Sequence, residues 1–293
     1  MKSHRLYTLI LILVLIAIFC ATQIKPSVPA TDLRLTMLDV GQGDAFLLRS
    51  PAGRLILIDT GPSSAINQQL GQHLPWWQKK IDLVIISHAH LDHFGGLLSL
   101  LESYEVSEVW FNGEQNSDND QYVDLLDKLK QKNINTKVVK RGQRSQFDNL
   151  QIDVIWPREQ KEDDSNNQSL VLRLTYGAMD VIFAGDISSE VEQQLLGDQL
   201  EAEVLKVAHH GSRSSSATEF LTQVRPEFCL ISAGLDNQYK HPHAEAINRL
   251  NEAGCAVLSS SHQGAVELRI STSTIAVSAT LPAVYSSGIL NPK

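Results

Sequence analysis

The stretch Ser87-His88-Ala89-His90-Leu91-Asp92-His93 decides the reading of this chain. It follows the apolar run Leu83-Val84-Ile85-Ile86 and precedes Gly95-Gly96, so a short buried strand delivers it to a strand-to-helix loop. Three imidazoles and a carboxylate packed this closely can converge on one or two metal ions. Loops at strand ends suit the open coordination of catalytic sites. The plain alternative is a solvated polar loop, and the rest of the chain argues against it.

Asp186 closes the run Val181-Ile182-Phe183-Ala184-Gly185-Asp186, where a carboxylate leaving a buried strand is placed to bridge two metals. Alone it would be ordinary turn chemistry. In Val207-Ala208-His209-His210-Gly211-Ser212, adjacent side chains at a strand end diverge, so one can ligate while the other faces substrate. A helix begins soon after, with Ser216 and Glu219 at capping-box spacing, and its free N–H groups would offer an anion a seat in the same region. Asp59, ending Leu55-Ile56-Leu57-Ile58, is placed either to cap a turn or to orient a ligand imidazole from behind. Asn166, Asn167 and Ser169, and further on Asn237, Tyr239, His241 and His243, are polar loop residues within reach of such a site.

From Leu33 onward, short apolar strands alternate with helical patterns. Leu33–Leu38, Ala45–Leu48, Leu55–Asp59, Leu83–Ile86 and Val106–Phe111 read as strands, and Ser63–Leu74, Gly95–Ser103 and Tyr122–Gln131 as helices. A polar connector spans 158–168. Beyond it, strands are expected at Leu170–Thr175, Val181–Ala184, Glu203–Ala208, Leu230–Ser232, Ala256–Ser259, Val266–Ile270 and Ile275–Val277. Helices are expected at Glu190–Leu196, from about Ala217, and at Ala244–Glu252. Two strand-rich halves with interspersed helices suit two packed sheets with helices outside, in one domain over 32–280 with a tail at 281–293.

The first 31 residues are different. Lys2 and Arg5 precede an apolar run from Leu6 to Ala21, and no acidic residue occurs before Asp32. These are the marks of a signal peptide or uncleaved signal anchor, so the expectation is a domain outside the cytoplasmic membrane, anchored through that segment or secreted. Setting aside the three basic residues of this segment (Lys2, Arg5, Lys25) takes the formal charge from −8 to −11. Passive nucleic-acid binders carry a basic face, and the one dense basic stretch here, Lys137 with Lys140, Arg141 and Arg144, is equally a solvated edge. Metal-assisted attack on a phosphodiester remains open, because metals supply positive charge locally. Cys229 and Cys255 lie in apolar runs and read as small buried hydrophobes, with a disulfide permitted but not demanded.

Together these residues resemble the metallo-β-lactamase superfamily, and more closely the extracytoplasmic hydrolase domain of ComEC-type competence proteins. The resemblance is carried by Leu38-Asp39-Val40-Gly41-Gln42-Gly43-Asp44-Ala45, Ile58-Asp59-Thr60-Gly61, the His88–His93 run with Gly95-Gly96, and Asn166-Asn167-Gln168-Ser169-Leu170-Val171. Ala184-Gly185-Asp186, His209-His210-Gly211-Ser212 and His241-Pro242 complete it, in the family's order, from residue 33 to about 270. The family's channel has no counterpart, and the expectation is a stand-alone hydrolase module behind one export segment.

The resemblance implies an α/β (α+β) fold, a four-layer αββα sandwich with its site at one edge between the sheets. It implies two divalent ions, zinc or manganese, with His88 and His90 on one and Asp92, His93 and His210 on the other. Asp186 would bridge them. A third-ligand histidine found in many members is replaced here by Asn166 or its neighbours. The implied activity is phosphodiester hydrolysis, with nuclease action on incoming DNA and single-stranded DNA as the candidate substrate. Asp92 would orient the attacking water, and His209 would contact the phosphate or protonate the leaving group. Asp59, Asn166, Ser169 and His241 would stand behind the ligands or near substrate. Competing expectations are an extracellular phosphocholine or teichoic-acid esterase and a metal-stabilised binding module without turnover. A β-lactamase is disfavoured by the missing histidine.

Overall fold

The computed structural model describes residues 31–114, 119–158 and 164–280. The apolar segment read as an export signal, the tail at 281–293 and the middle of the polar connector lie outside the described residues. Among the described residues no helix is long and apolar enough to cross a membrane.

The strands of the first half are β1 (Leu33–Met37), β2 (Phe46–Arg49), β3 (Leu55–Ile58), β4 (Lys80–Ile81), β5 (Leu83–Ile86), β6 (Glu105–Val106), β7 (Glu108–Phe111) and β8 (Asn135–Val138). Then come β9 (Arg144–Phe147), β10 (Leu150–Trp156), β11 (Val171–Tyr176), β12 (Met179–Phe183), β13 (Val204–Lys206), β14 (Phe228–Ile231), β15 (Ala256–Ser259), β16 (Val266–Ile270) and β17 (Ile275–Ala279). The helices are α1 (Ala65–His73), α2 (Leu91–Ser103), α3 (Asp120–Gln131), α4 (Ser189–Leu195), α5 (Thr218–Val224), α6 (Ala244–Glu252) and the single turn α7 (Ser260–Gln263).

One sheet has the order β17-β16-β1-β2-β3-β5-β7-β8, the other β15-β14-β13-β12-β11-β10-β9. Each is antiparallel on one side and parallel on the other: β3, β5, β7 and β8 run together, as do β12, β13, β14 and β15. Residue alternation builds the layers. In β3, Ile56 and Ile58 join the core between the sheets while Leu55 and Leu57 pack beneath α1–α3. In β5, Leu83 and Ile85 face inward and Val84 and Ile86 outward. In the other sheet, Val181 and Phe183 enter the shared core while Ile182 meets the helices on the outer face. Both faces of these central strands are buried, which is why they read as continuous apolar runs. The four helix-sheet-sheet-helix layers are those the sequence led us to expect.

Three details of the secondary structure differ. Strands β8, β9 and β10 have no counterpart in the pattern read above, although the alternating burial of Leu150, Ile152, Val154 and Trp156 is that of a half-buried strand. Helix α2 begins at Leu91 rather than Gly95, so Asp92 and His93 sit in its first turn and His90 is its N-cap. Its start packs against the loop after β3: Gly96 donates to the Gly61 carbonyl at 2.7 Å, and a Cβ at Gly96 would stand 2.1 Å from the Thr60 oxygen. The capping box at Ser216 does not form. Ser216 has φ +61°, the N-cap of α5 is Ala217, and no side chain caps that helix.

Cys229 and Cys255 form a disulfide rather than two free buried thiols, with Cα atoms 6.0 Å apart. The bridge ties β14 to the turn preceding β15, across a sequence separation of 26 residues. Closing a loop of that length removes about 3.5 kcal/mol of unfolded-state entropy in the chain-entropy model. Replacing both cysteines by alanine should therefore lower the unfolding free energy by about 2–4 kcal/mol, measured by urea denaturation under non-reducing conditions. An unchanged midpoint would mean that the bridge does not form.

Candidate metal centre

Every residue that converges on the centre follows the carboxyl end of a strand or lies in a loop beside it, at one edge between the sheets. Asp59 follows β3, Ser87–His93 follow β5, Asp186 follows β12, His209 and His210 follow β13, and Ser232 follows β14. Asp44 comes from the loop joining β1 to β2. Ligand atoms lie within 4.8 Å of one another in the groups His88–His93–Asp186, Asp92–His93–His210, Asp44–Asp59–His93 and Asp44–Asp186–His210.

The hydrogen bonds fix how each imidazole is presented. His93 donates from Nδ1 to Asp59 Oδ2 at 2.8 Å, and Asp59 is itself held by the backbone N–H (2.7 Å) and hydroxyl (2.8 Å) of Ser87. His210 donates from Nδ1 to the Ser232 carbonyl at 2.8 Å. His88 Nδ1 lies 3.0 Å from the Ser87 hydroxyl, which is already donating to Asp59 and so accepts. All three Nδ1 atoms are thus occupied, leaving Nε2 to face the centre. His88 Nε2 is buried with no hydrogen-bond partner, while His93 Nε2 and His210 Nε2 lie 3.2 and 3.4 Å from Asp186 Oδ2. Imidazoles steered from behind by a carboxylate, a hydroxyl and a carbonyl, with Nε2 turned into a centre of shared carboxylates, fit divalent metal ions. Asp59 stands behind His93 in this way.

Electrostatics follow from the crowding. Burial opposes a charge on His93 and His210, but Asp186 with Asp59 and Asp92 raises His93 well above its ordinary value, and Asp186 with Asp44 raises His210 to about 10. His88, buried beside the charged His93, is held well below its ordinary value. Burial raises Asp59; against the same penalty, His93 holds Asp92 and Asp186 low. Asp92 is the most open of these carboxylates, with about a third of its side chain exposed.

Two central residues carried no assigned role in the sequence. Asp44 is fully buried, with Oδ1 3.3 Å from His210 Nδ1. Its chief partner is the ammonium of Lys206, which also donates to the Gly185 carbonyl at 2.7 Å and stands 3.3 Å from Asp186 Oδ1. Strand alternation explains Lys206: Val204 faces the shared core, Leu205 the outer helices, and Lys206 the shared core again. A lysine at an inward position of an apolar strand was the legible signal. Glu114 also approaches, accepting the Ala89 N–H at 3.2 Å.

The remaining expected residues lie at varying depth. His90 packs its ring beside His88 at 4.5 Å but stands outside the tight groups. Ser169 is buried and accepts the Asp186 N–H at 3.0 Å, so it positions that carboxylate's backbone. Asn166 opens a 3-10 turn, while its neighbour Asn167 accepts the Ser188 N–H. His209 and His241 form the rim, with ring centroids 5.6 Å apart and 6.2 and 6.1 Å from His210. Burial and the charge of His210 push His241 down to about 4.

Two expectations about this region need correcting. His209 and His210 are not the end of an extended strand: β13 stops at Lys206, and both histidines are left-handed, φ +50° and +53°. Successive left-handed residues, sparsely populated outside glycine, turn the chain back on itself and separate the two rings. The Ser216 and Ala217 N–H groups ahead of α5 are also not free for an anion. Fully buried Glu192 accepts the Ser216 and Ala217 N–H groups at 2.6 and 2.7 Å, and burial raises it to about 7.

Removing Lys206 while keeping Asp44 strands a buried carboxylate. Lys206→Met should cost about 3–5 kcal/mol in urea unfolding, and Lys206→Met with Asp44→Asn markedly less. Equal losses in single and double variants would show that the pair is not coupled. The raised His93 and His210 hold protons at pH 7 that a metal must displace, so uptake should release roughly two protons per chain and tighten as pH rises. Calorimetry in buffers of different ionisation enthalpy measures this; uptake independent of buffer and pH would contradict the geometry.

Residues 38–234 match the family model of the metallo-beta-lactamase superfamily. The chain is 31% identical over 265 residues to ComE operon protein 3 of Bacillus subtilis, covering 82% of this chain and 33% of that one. Competence protein ComA of Neisseria gonorrhoeae is 30% identical over 250 residues, covering 82% and 33%. The chain therefore spans about a third of the length of these relatives. Among solved structures, the metallo-beta-lactamase fold protein YhfI of Bacillus subtilis superposes with a TM-score of 0.57 at 16% identity, over 84% of this chain and all of that one, which speaks for the fold alone. With its Nε2 atoms gathered on shared carboxylates and its sequence match over most of the chain, this protein belongs to the metallo-β-lactamase superfamily, in a domain similar to that of the ComEC-type competence proteins.

Proposed function

We propose that the chain is a metal-dependent phosphodiesterase acting on the outer side of the cytoplasmic membrane, with single-stranded DNA as its candidate substrate. The observation that carries this is the set of three imidazoles whose Nδ1 atoms are all engaged while Nε2 converges on Asp186. His88, His93, Asp92, Asp186 and His210 would hold two divalent ions, with His90 beside them; such ions polarise a phosphoryl oxygen and acidify water. Asp92, the carboxylate with an open side, orients the attacking water. His209, on the rim with its protonated form disfavoured by burial, accepts or returns a proton at the leaving oxygen. The Cys229–Cys255 disulfide suits an oxidising compartment and so supports location outside the cytoplasm.

The formal charge of −11 beyond the N-terminal segment favours a weakly held diester over a tightly bound duplex. The test compares bis-p-nitrophenyl phosphate, a phosphocholine ester and single-stranded DNA after loading with zinc or manganese. Diester and DNA should turn over. Exclusive turnover of the phosphocholine ester would select the esterase reading, and no turnover with metal bound would select a binding module. His210→Ala should lose metal and activity together. His209→Ala should keep its metal and lose about 10²–10⁴-fold in turnover.

A further inference from the structure

Trp76 and Trp77 are 81% and 66% exposed, adjacent, and in edge-to-face contact with ring centroids 5.7 Å apart. The protein's other tryptophans, Trp110 and Trp156, are buried. Two exposed indoles in tandem contribute nothing to the core and are costly to leave in water. They sit in the turn between α1 and β4, fixed by the Gln78 N–H donating to the Pro75 carbonyl at 2.9 Å, and exposed Lys79 and Lys80 follow directly.

The strand register shows which end of the molecule this is. Leu33 at the start of β1 pairs with Ile270, and Arg34 with Arg49 at the end of β2. Arg49 pairs with Leu55 at the start of β3, and Ile56 with Leu83 at the start of β5. The backbone of Asp82 bonds to Leu55, and β4 pairs with β6 alongside. The tryptophan turn therefore shares one end of the eight-stranded sheet with Leu33, where β1 starts. The metal centre occupies the other end, after Asp59 and Ser87. Exposed Arg49, Arg54, Lys79 and Lys80 lie at the tryptophan end. Asp148 meets Arg54 and Glu105 meets Lys80, while among the described residues Lys79, two positions from Trp77, has no acidic partner and lies over the Tyr104 ring.

We propose that this end is a docking surface for an anionic lipid bilayer, with Trp76 and Trp77 seated at the headgroup level. Indole has an apolar body with one N–H and favours the membrane interface, and lysine beside it adds attraction to acidic headgroups. The sequence places the apolar run at Leu6–Ala21, only ten residues before Asp32, and ten residues reach at most about 35 Å. On the location proposed above, a membrane segment expected so near in sequence makes a bilayer the available occupant. Docking there would turn the metal centre away from the lipid toward soluble substrate.

The test uses the full chain in vesicles of phosphatidylcholine with about 30% phosphatidylglycerol, and tryptophan emission as the readout. Lipid brominated near the headgroup should remove roughly half of the emission, and aqueous iodide little of it, because the buried tryptophans respond to neither. Trp76→Ala with Trp77→Ala should abolish the bromolipid quenching, and Lys79→Glu with Lys80→Glu should weaken it, both leaving hydrolysis of soluble bis-p-nitrophenyl phosphate unchanged. Iodide quenching without bromolipid quenching in the wild type would overturn the proposal. So would protection of the pair by a single-stranded oligonucleotide instead of lipid, or a fall in diester hydrolysis in the tryptophan variant.

Discussion

Four carboxylates meet in one buried space between the sheets, and the rest of the centre is arranged around balancing their charge. Asp44 comes from the first sheet's loop, Asp186 from the end of a strand in the second, and the Lys206 ammonium joins them. Asp59 and Asp92 add two more negative groups within reach of His93. Removing such charges from water is tolerable only when partners sit in direct contact. Lys206 supplies a permanent cation, and the raised His93 and His210 supply two conditional ones. Exchanging two protons for two divalent ions would take these groups from one net negative charge to one net positive charge, which is what the proposed diester reading calls for.

The backbone is shaped to serve that arrangement. Asp59, His209 and His210 all have positive φ, each just past a strand that ends at the centre. The left-handed turn at Asp59 lets its carboxylate reach both Ser87 and His93, instead of following the strand outward. Gly43 permits the close approach that brings Asp44 in: a Cβ there would lie 2.3 Å from the Asp92 carbonyl, to which the Asp44 N–H donates at 3.1 Å. Strain of this kind persists only where surrounding contacts over-determine it. Here the two apolar cores flanking the first sheet hold β3 and β5 rigidly enough to do so.

The two ends of the first sheet differ in chemistry. One carries the metal ligands in loops that follow parallel strands, where successive carboxyl ends leave a crevice. The other carries tight turns, basic side chains and the tryptophan pair. The same strands span both ends, so a surface bound at one end fixes the orientation of chemistry at the other.

The ligand run was legible because its chemistry is local: three imidazoles and an aspartate between a buried strand and a diglycine need no tertiary information to be noticed. Asp186 and His210 were legible for a weaker reason, each being a polar group at the end of an apolar run. The central strands were legible because burial on both faces leaves them continuously apolar. What the sequence could not decide depends on groups brought together from distant positions. Asp44 and Lys206 are 162 residues apart, and only the packing of one sheet on the other makes them partners. The buried Glu192 that takes the N–H groups ahead of α5, and the pairing of Cys229 with Cys255, are settled by the same packing. The paths of His209 and His210 depend on backbone angles that residue type alone does not set. Sequence thus determined which atoms could bind metal; the tertiary fold decided which nitrogen each imidazole presents and which cation balances the carboxylates, because both depend on contacts across the interior.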